Sequence, residues 1–159
     1  MGPANIVRVQ SWDYTATTPP GLNQLLGTAW PREVGATASA SAEVLCVGPT
    51  QWLVIGGNPD NGELCNELTK ALSGTSFRAT DVSHGLARIE IEGSGVRETL
   101  LEGCSLDLHP DRFPVCRCAA TRFASAPIVL HRRASWTFEV IVAASYREYL
   151  RCWIACKWG

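Results

Sequence analysis

Apolar and polar residues alternate most cleanly over residues 86–92, where Ala87, Ile89 and Ile91 interleave with Arg88, Glu90 and Glu92. Period two sends successive side chains to opposite faces of a strand, so this segment is predicted to put one face on the core and the other toward water or a partner. Earlier in the chain, residues 44–47 and 52–55 are two apolar runs flanking Gly48-Pro49-Thr50-Gln51, which reads as a hairpin. Gly56-Gly57-Asn58-Pro59-Asp60 closes its second strand. Residues 6–9 and 77–82 are further strands, and three more are predicted at 116–123, 128–132 and 136–142, with turns at 125–127 and 133–135.

Helical spacing takes over between these strands. Leu22, Leu25 and Leu26 suggest a short helix ended by Gly27, and Leu64, Leu68, Ala71 and Leu72 a longer one stopped by Ser73-Gly74. Val96, Leu100 and Leu101 form a stripe behind a Ser94 cap, with Gly103 as the stop. Ser145-Tyr146-Arg147-Glu148 has the form of a capping box, followed by Tyr149, Leu150, Trp153 and Ile154 on one face. Residues 35–42, rich in Ala and Ser, have weak periodicity and read as a loop or irregular edge. Hairpins mixed with helices, rather than regular βαβ units, predict an α+β fold: a mostly antiparallel sheet with helices packed on one side.

The length of 159 residues suits one domain with one core spanning residues 1–159. Apolar residues make up 46% and charged residues 18%, which excludes a disordered chain, and a net charge of -1 without a basic run excludes nucleic-acid binding. The start, Met1-Gly2-Pro3-Ala4-Asn5, has neither a basic n-region nor an apolar stretch after it, and no apolar run reaches membrane-spanning length. With seven cysteines, an odd number, the chain is expected to keep reduced thiols in the cytoplasm, without membrane attachment.

Reactive side chains offer several constellations, each with a plainer reading. Cys116 and Cys118 share one strand face, and Cys152 and Cys156 lie one helical turn apart, but no Cys-x-x-Cys pair accompanies them, so structural thiols are expected. Cys104 with nearby His109 has the makings of an activated nucleophile, yet a thiol after a helix C-terminus faces the negative end of the dipole. Asp81-Val82-Ser83-His84 holds the residue types of a hydrolase triad on one extended stretch, where they point apart; Ser83 and His84 are expected to satisfy the turn backbone instead. Gly93-Ser94-Gly95 lacks the third glycine of a dinucleotide loop. Of six tryptophans, Trp52, Trp136 and Trp153 fit the core, whereas Trp12, Trp30 and Trp158 sit near breaks or termini and point to a protein partner.

Several motifs, in one order, resemble the sarcosine oxidase gamma subunit family: Gly48-Pro49-Thr50-Gln51-Trp52-Leu53, Asp81-Val82-Ser83-His84, Gly103-Cys104-Ser105-Leu106-Asp107-Leu108-His109-Pro110 with Phe113-Pro114, and Ser145-Tyr146-Arg147-Glu148-Tyr149-Leu150. The family is similar in fold to the folate-binding domain of the glycine-cleavage aminomethyltransferase. The resemblance implies a heterotetrameric flavoenzyme that demethylates sarcosine to glycine, passes the one-carbon unit to tetrahydrofolate and forms hydrogen peroxide. It implies alpha, beta and delta subunits as partners, with FAD, FMN, NAD, tetrahydrofolate and zinc in those partners and no cofactor in this chain. Related complexes act on other N-methyl amino acids, and a freestanding folate-dependent aminomethyltransferase is the alternative from another class. The Asn and paired Asp that aminomethyltransferases carry after their folate loop are missing from residues 118–133. The chain is therefore expected to be a non-catalytic assembly subunit. Trp52, Asp81, His84, Cys104, Asp107, His109 and Phe113 are its candidate interface or family-motif residues, and Asp107 is expected to fix its loop by bonding a backbone amide or His109.

Overall fold

The computed structural model describes residues 4–57 and 62–158. It is an α+β protein that divides into two compact units, the first ending at Ser83 and the second beginning at His84. Buried apolar side chains gather in two clusters, one in each unit, where a single core was expected. The cause is pairing: the strands before Ser83 pair only with each other, and so do those after it, giving two separate antiparallel sheets.

The first unit contains β1 (Asn5–Ser11), α1 (Pro20–Leu26), β2 (Thr37–Ser39), β3 (Glu43–Gly48), β4 (Gln51–Gly56), α2 (Glu63–Ala71) and β5 (Phe77–Asp81). Its sheet has the order β2-β3-β4-β1-β5. The expected hairpin is present, with Gly48 opposite Gln51 at its tight end. Proline at the start of α1 fits the first helical turn, and Gly27 ends the helix at φ 67, a left-handed conformation that glycine adopts without steric penalty. Residues 35–42, expected as a loop or irregular edge, include the three-residue edge strand β2. Val7, Val9, Val44, Cys46, Trp52 and Val54 meet Leu22, Leu26, Leu64 and Leu68 in the first core, so both helices cover the same sheet face. Burial raises the Cys46 thiol above its ordinary pKa, as befits a packed, inert sulfur. The break expected at residues 58–60 lies outside the described residues.

The second unit contains β6 (Leu86–Glu92), α3 (Val96–Gly103), β7 (Arg117–Phe123), β8 (Ala126–Ala134), β9 (Thr137–Ala143), a 3-10 turn (Ala144–Tyr146) and α4 (Arg147–Trp158). Its sheet runs β6-β9-β8-β7. Phe123, Ile128, Leu130, Phe138 and Val140 pack with Val96 and Leu100 of α3 and Leu150 of α4. Ser94 does not cap α3; Gly95 holds the cap position without a side-chain bond, and Gly103 is the last helical residue rather than the stop. Nor does Ser145 cap α4, because the 3-10 turn occupies its place. The β7–β8 turn falls at Ala124 and Ser125, whose φ values are 46 and 71. Tight hairpins demand this left-handed geometry, but neither residue advertises it as Gly or Asn would. Cys116 likewise has φ 63 and lies outside β7, exposed, so it does not share a strand face with buried Cys118. Among the described residues, no helix is long and apolar enough to cross a membrane.

Candidate docking site

The turn after β1 carries the two most exposed aromatic side chains of the described residues: Trp12 is 70% and Tyr14 78% exposed. Asp13, between them, accepts bonds on Oδ1 from the Thr15 backbone N–H (2.9 Å) and hydroxyl (2.7 Å). Those bonds hold its carboxyl below the usual carboxylate pKa. Ser11 Oγ bonds the Asp13 carbonyl and accepts from the Asp13 N–H, both at 3.1 Å, and Trp12 N–H reaches Ser76 O at 3.3 Å. A fixed turn therefore displays two large rings to solvent. Exposed Trp and Tyr on a turn whose backbone is already held suit protein binding, since the backbone need not be ordered on association and these residue types are enriched at interface hot spots.

Sequence reasoning picked out Trp12 but missed Tyr14, whose only signal is its place beside Asp13-x-Thr15. Trp30, also expected on a contact surface, is buried. Its backbone N–H donates to Asn23 Oδ1 (3.0 Å), and its ring centroid lies 5.5 Å from that of Trp52. Trp136, expected in the core, is 47% exposed because it occupies the turn before β9; the Arg97 guanidinium lies 5.4 Å from its ring centroid. Trp158 is exposed as expected.

Each motif residue has a structural place. Trp52 is buried, donates from Nε1 to Pro31 O (2.7 Å) and packs against Phe77 as well as Trp30. Asp81 Oδ1 accepts from Ser83 N–H (2.9 Å) and Ser83 Oγ (2.6 Å), and Ser83 Oγ also accepts from the Ile6 N–H, tying the end of β5 to β1. His84 is exposed, so of the two residues expected to satisfy this turn, Ser83 is the one in place. Around the 104–114 loop, Cys104, Leu108 and Phe113 turn inward while Asp107 and His109 turn outward. Asp107 Oδ1 accepts from the His109 N–H at 3.0 Å, the backbone bond expected of it.

The Cys104 thiol lies 3.8 Å from the Thr121 hydroxyl, whereas His109 is exposed with its Nδ1 3.5 Å from Asp111. Thiol and imidazole thus occupy different environments, one packed and one wet, and among the described residues the group beside the sulfur is the Thr121 hydroxyl. Arg132, not anticipated from sequence, secures the loop: Nη1 bonds Phe113 O (2.7 Å), Nη2 bonds Ser135 O (3.0 Å), and Phe113 stacks on Phe138.

A buried charge cluster is the other feature that patterning did not reveal. Glu139 on β9 is fully buried; it pairs with Arg88 of β6 and with Arg133 of β8 at 3.0 Å, and His131 Nδ1 lies 3.5 Å away. Burial alone would raise its pKa, but His131, Arg88 and Arg133 together outweigh burial and lower it to about 2. A carboxylate this committed is a structural anion rather than a proton carrier.

The sarcosine oxidase gamma subunit family model matches residues 14–157. Sarcosine oxidase subunit gamma of Arthrobacter sp. is 33% identical over 135 residues, covering 84% of this chain and 66% of that protein. The same subunit of Corynebacterium sp. (strain P-1) is 30% identical over 135 residues with equal coverage. The matched region thus spans just under two thirds of the length of these curated relatives. Among solved structures, heterotetrameric sarcosine oxidase from Corynebacterium sp. U-96 in complex with pyrrole 2-carboxylate has a similar chain: TM-score 0.89 at 24% identity, over 99% of this chain and 80% of that one. Glycine cleavage system aminomethyltransferase T from Bartonella henselae gives a TM-score of 0.68 at 10% identity, over 95% and 43% of the two chains. At these identities the two structures speak for the fold, which is similar to that of the aminomethyltransferase.

Proposed function

This chain belongs to the sarcosine oxidase gamma subunit family, and from that premise we propose that it is the non-catalytic gamma subunit of a heterotetrameric, sarcosine oxidase-type complex in the cytoplasm. In this reading the alpha, beta and delta subunits hold FAD, FMN, NAD, tetrahydrofolate and zinc, and the complex demethylates sarcosine. This chain contributes a folded face against which larger subunits assemble. The observation that carries the reading is the ordered turn presenting Trp12 and Tyr14.

In this reading folate is held by the partner subunits, which is supported by the one buried carboxylate among the described residues, Glu139, being engaged by Arg88 and Arg133 rather than open to the N–H edge of a pterin.

Affinity purification of the tagged chain from its native host tests the proposal. The expected result is co-purification with a large flavoprotein, sarcosine-dependent peroxide formation by the complex, and no turnover by the 17.2 kDa chain alone. Trp12→Ala is expected to weaken association by about 2 kcal/mol, roughly 30-fold, as read by titration calorimetry against the remaining subunits. A chain recovered without any flavoprotein, or turning over substrate by itself, overturns the reading.

A further inference from the structure

Strand β6 has one hydrogen-bonded neighbour, β9, and forms an edge of the second unit's sheet. Its outward side follows from two bonds at its ends: Gly93 N–H donates to Trp136 O (3.0 Å), and Ala144 N–H to Gly85 O (2.9 Å). In an antiparallel ladder, hydrogen-bonded pairs recur at every second residue, so the odd-numbered residues of β6 bond β9. Leu86, Arg88, Glu90 and Glu92 consequently turn their backbone N–H and C=O groups away from the sheet. None of those groups has a partner among the described residues.

Such an edge is a template for another strand, and proteins blunt it unless it is used. β6 is seven residues long with no proline and no bulge in its pairing, so the edge is regular and what guards it is charge, from Arg88, Glu90 and Glu92, which a basic partner segment would neutralise. Beside it lies a groove of about 350 Å³ with an apolar wall of Ile89, Ile91, Ile154, Ala155 and Trp158 and with Arg151, Glu90 and Glu92 also on its lining. Trp158 can reach the end of the groove because Gly93 has no side chain; a Cβ there would lie 2.8 Å from the indole ring. By alternation the Glu90 and Glu92 side chains turn to the other sheet face, although both residues also border the groove; both are exposed and without an ion pair among the described residues. Arg88, their neighbour on that face, is already committed to Glu139.

We propose that the outer edge of β6, with the groove between it and α4, is a strand-acceptor site for an extended segment of a partner subunit. Apolar residues at every second position of that segment enter the groove, and Lys or Arg at the intervening positions face Glu90 and Glu92. Backbone bonds supply affinity and the alternating side chains supply selectivity. Charge excludes a second copy of this chain as the occupant, because its own Glu90 and Glu92 would meet their counterparts while Arg88 stays engaged. The inference rests on the subunit reading above and names where one partner segment binds.

The test uses the tagged full chain and the complex it forms with the flavoprotein partner, identified by mass spectrometry. Glu90→Pro deletes one outward N–H and one carboxylate at a position where an edge strand tolerates proline. It is expected to reduce recovery of the complex at least 10-fold, and Glu90→Lys combined with Glu92→Lys to do so without altering the melting temperature of the chain. Amide hydrogen exchange of the unaltered chain gives a measurement independent of any variant. The Leu86, Arg88, Glu90 and Glu92 amides are expected to exchange at least 10-fold more slowly in the complex than in the chain alone. Unchanged exchange at these four amides in an intact complex overturns the strand-acceptor site and leaves the subunit reading standing. Absence of any complex with the unaltered chain overturns both, and a homodimer that protects the same amides overturns the assignment to a partner subunit.

Discussion

Replacing Glu139 by alanine is expected to lower the unfolding free energy of the second unit by about 3–5 kcal/mol, measured by urea denaturation. The loss does not reflect a strong bond so much as what remains. Arg88 and Arg133 would be left beside each other without their anion, with Arg88 only 12% exposed. Because desolvation of the cations dominates, removing both partners should be milder than removing one. Arg88→Met combined with Glu139→Leu is expected to recover most of the stability lost by Glu139→Ala. If Glu139→Ala leaves the denaturation midpoint in place, the cluster is not what holds β6, β8 and β9 in register.

The same cluster sets an acid limit. Burial opposes ionisation of Glu139, yet its partners depress its pKa from the ordinary 4.5 to about 2. Between those values the unfolded chain binds more protons than the folded one, so stability rises with pH there. The contribution is complete above about pH 4.5 and is lost as pH falls toward about 2. A shift of that size corresponds to roughly 3 kcal/mol. Melting curves of the unaltered protein and of the double variant should converge as pH drops through this window.

How legible these features were in the sequence depends on whether local pattern or distant pairing decides them. The 86–92 strand was plain because its alternation is a property of seven consecutive residues, and the 48–51 hairpin because Gly and Pro mark its turn. The division into two sheets was not, since no local signal says that β5 pairs with β1 while β6 pairs with β9. Turn chemistry failed where unremarkable residues adopt left-handed geometry, as at Ala124, Ser125 and Cys116. Among candidate site residues, Asp107 was legible in its role because its bond is to the His109 backbone two residues away, whereas the Ser83 bond to the Ile6 N–H joins positions 77 apart. Glu139 and Arg88, 51 positions apart, were not legible; each looks like an ordinary solvated charge on an alternating strand. Arg132 reads equally blandly until the Phe113 carbonyl is brought to it.

Trp52 and Trp12 make the second large prediction, as a contrast between two indoles of the same unit. Trp52→Ala is expected to cost about 3–5 kcal/mol of stability, because it empties a site walled by Trp30 and Phe77 in a core that closes only partly around such a gap. It also strips the buried Pro31 carbonyl of its Nε1–H donor. Trp52→Phe isolates that second effect: it restores most of the ring volume and should recover all but about 1–3 kcal/mol. Trp12→Ala, on the exposed turn, should shift unfolding by no more than about 0.5 kcal/mol while still weakening association with the partner subunits. Denaturation midpoints for the three variants, read beside their recovery of the complex, separate a tryptophan that builds the fold from one that the fold presents. The reverse pattern, an unfolded Trp12→Ala protein or a Trp52→Ala protein of undiminished stability, would show that the family's Gly-Pro-x-x-Trp-Leu hairpin acts at the surface and that the turn after β1 is scaffold.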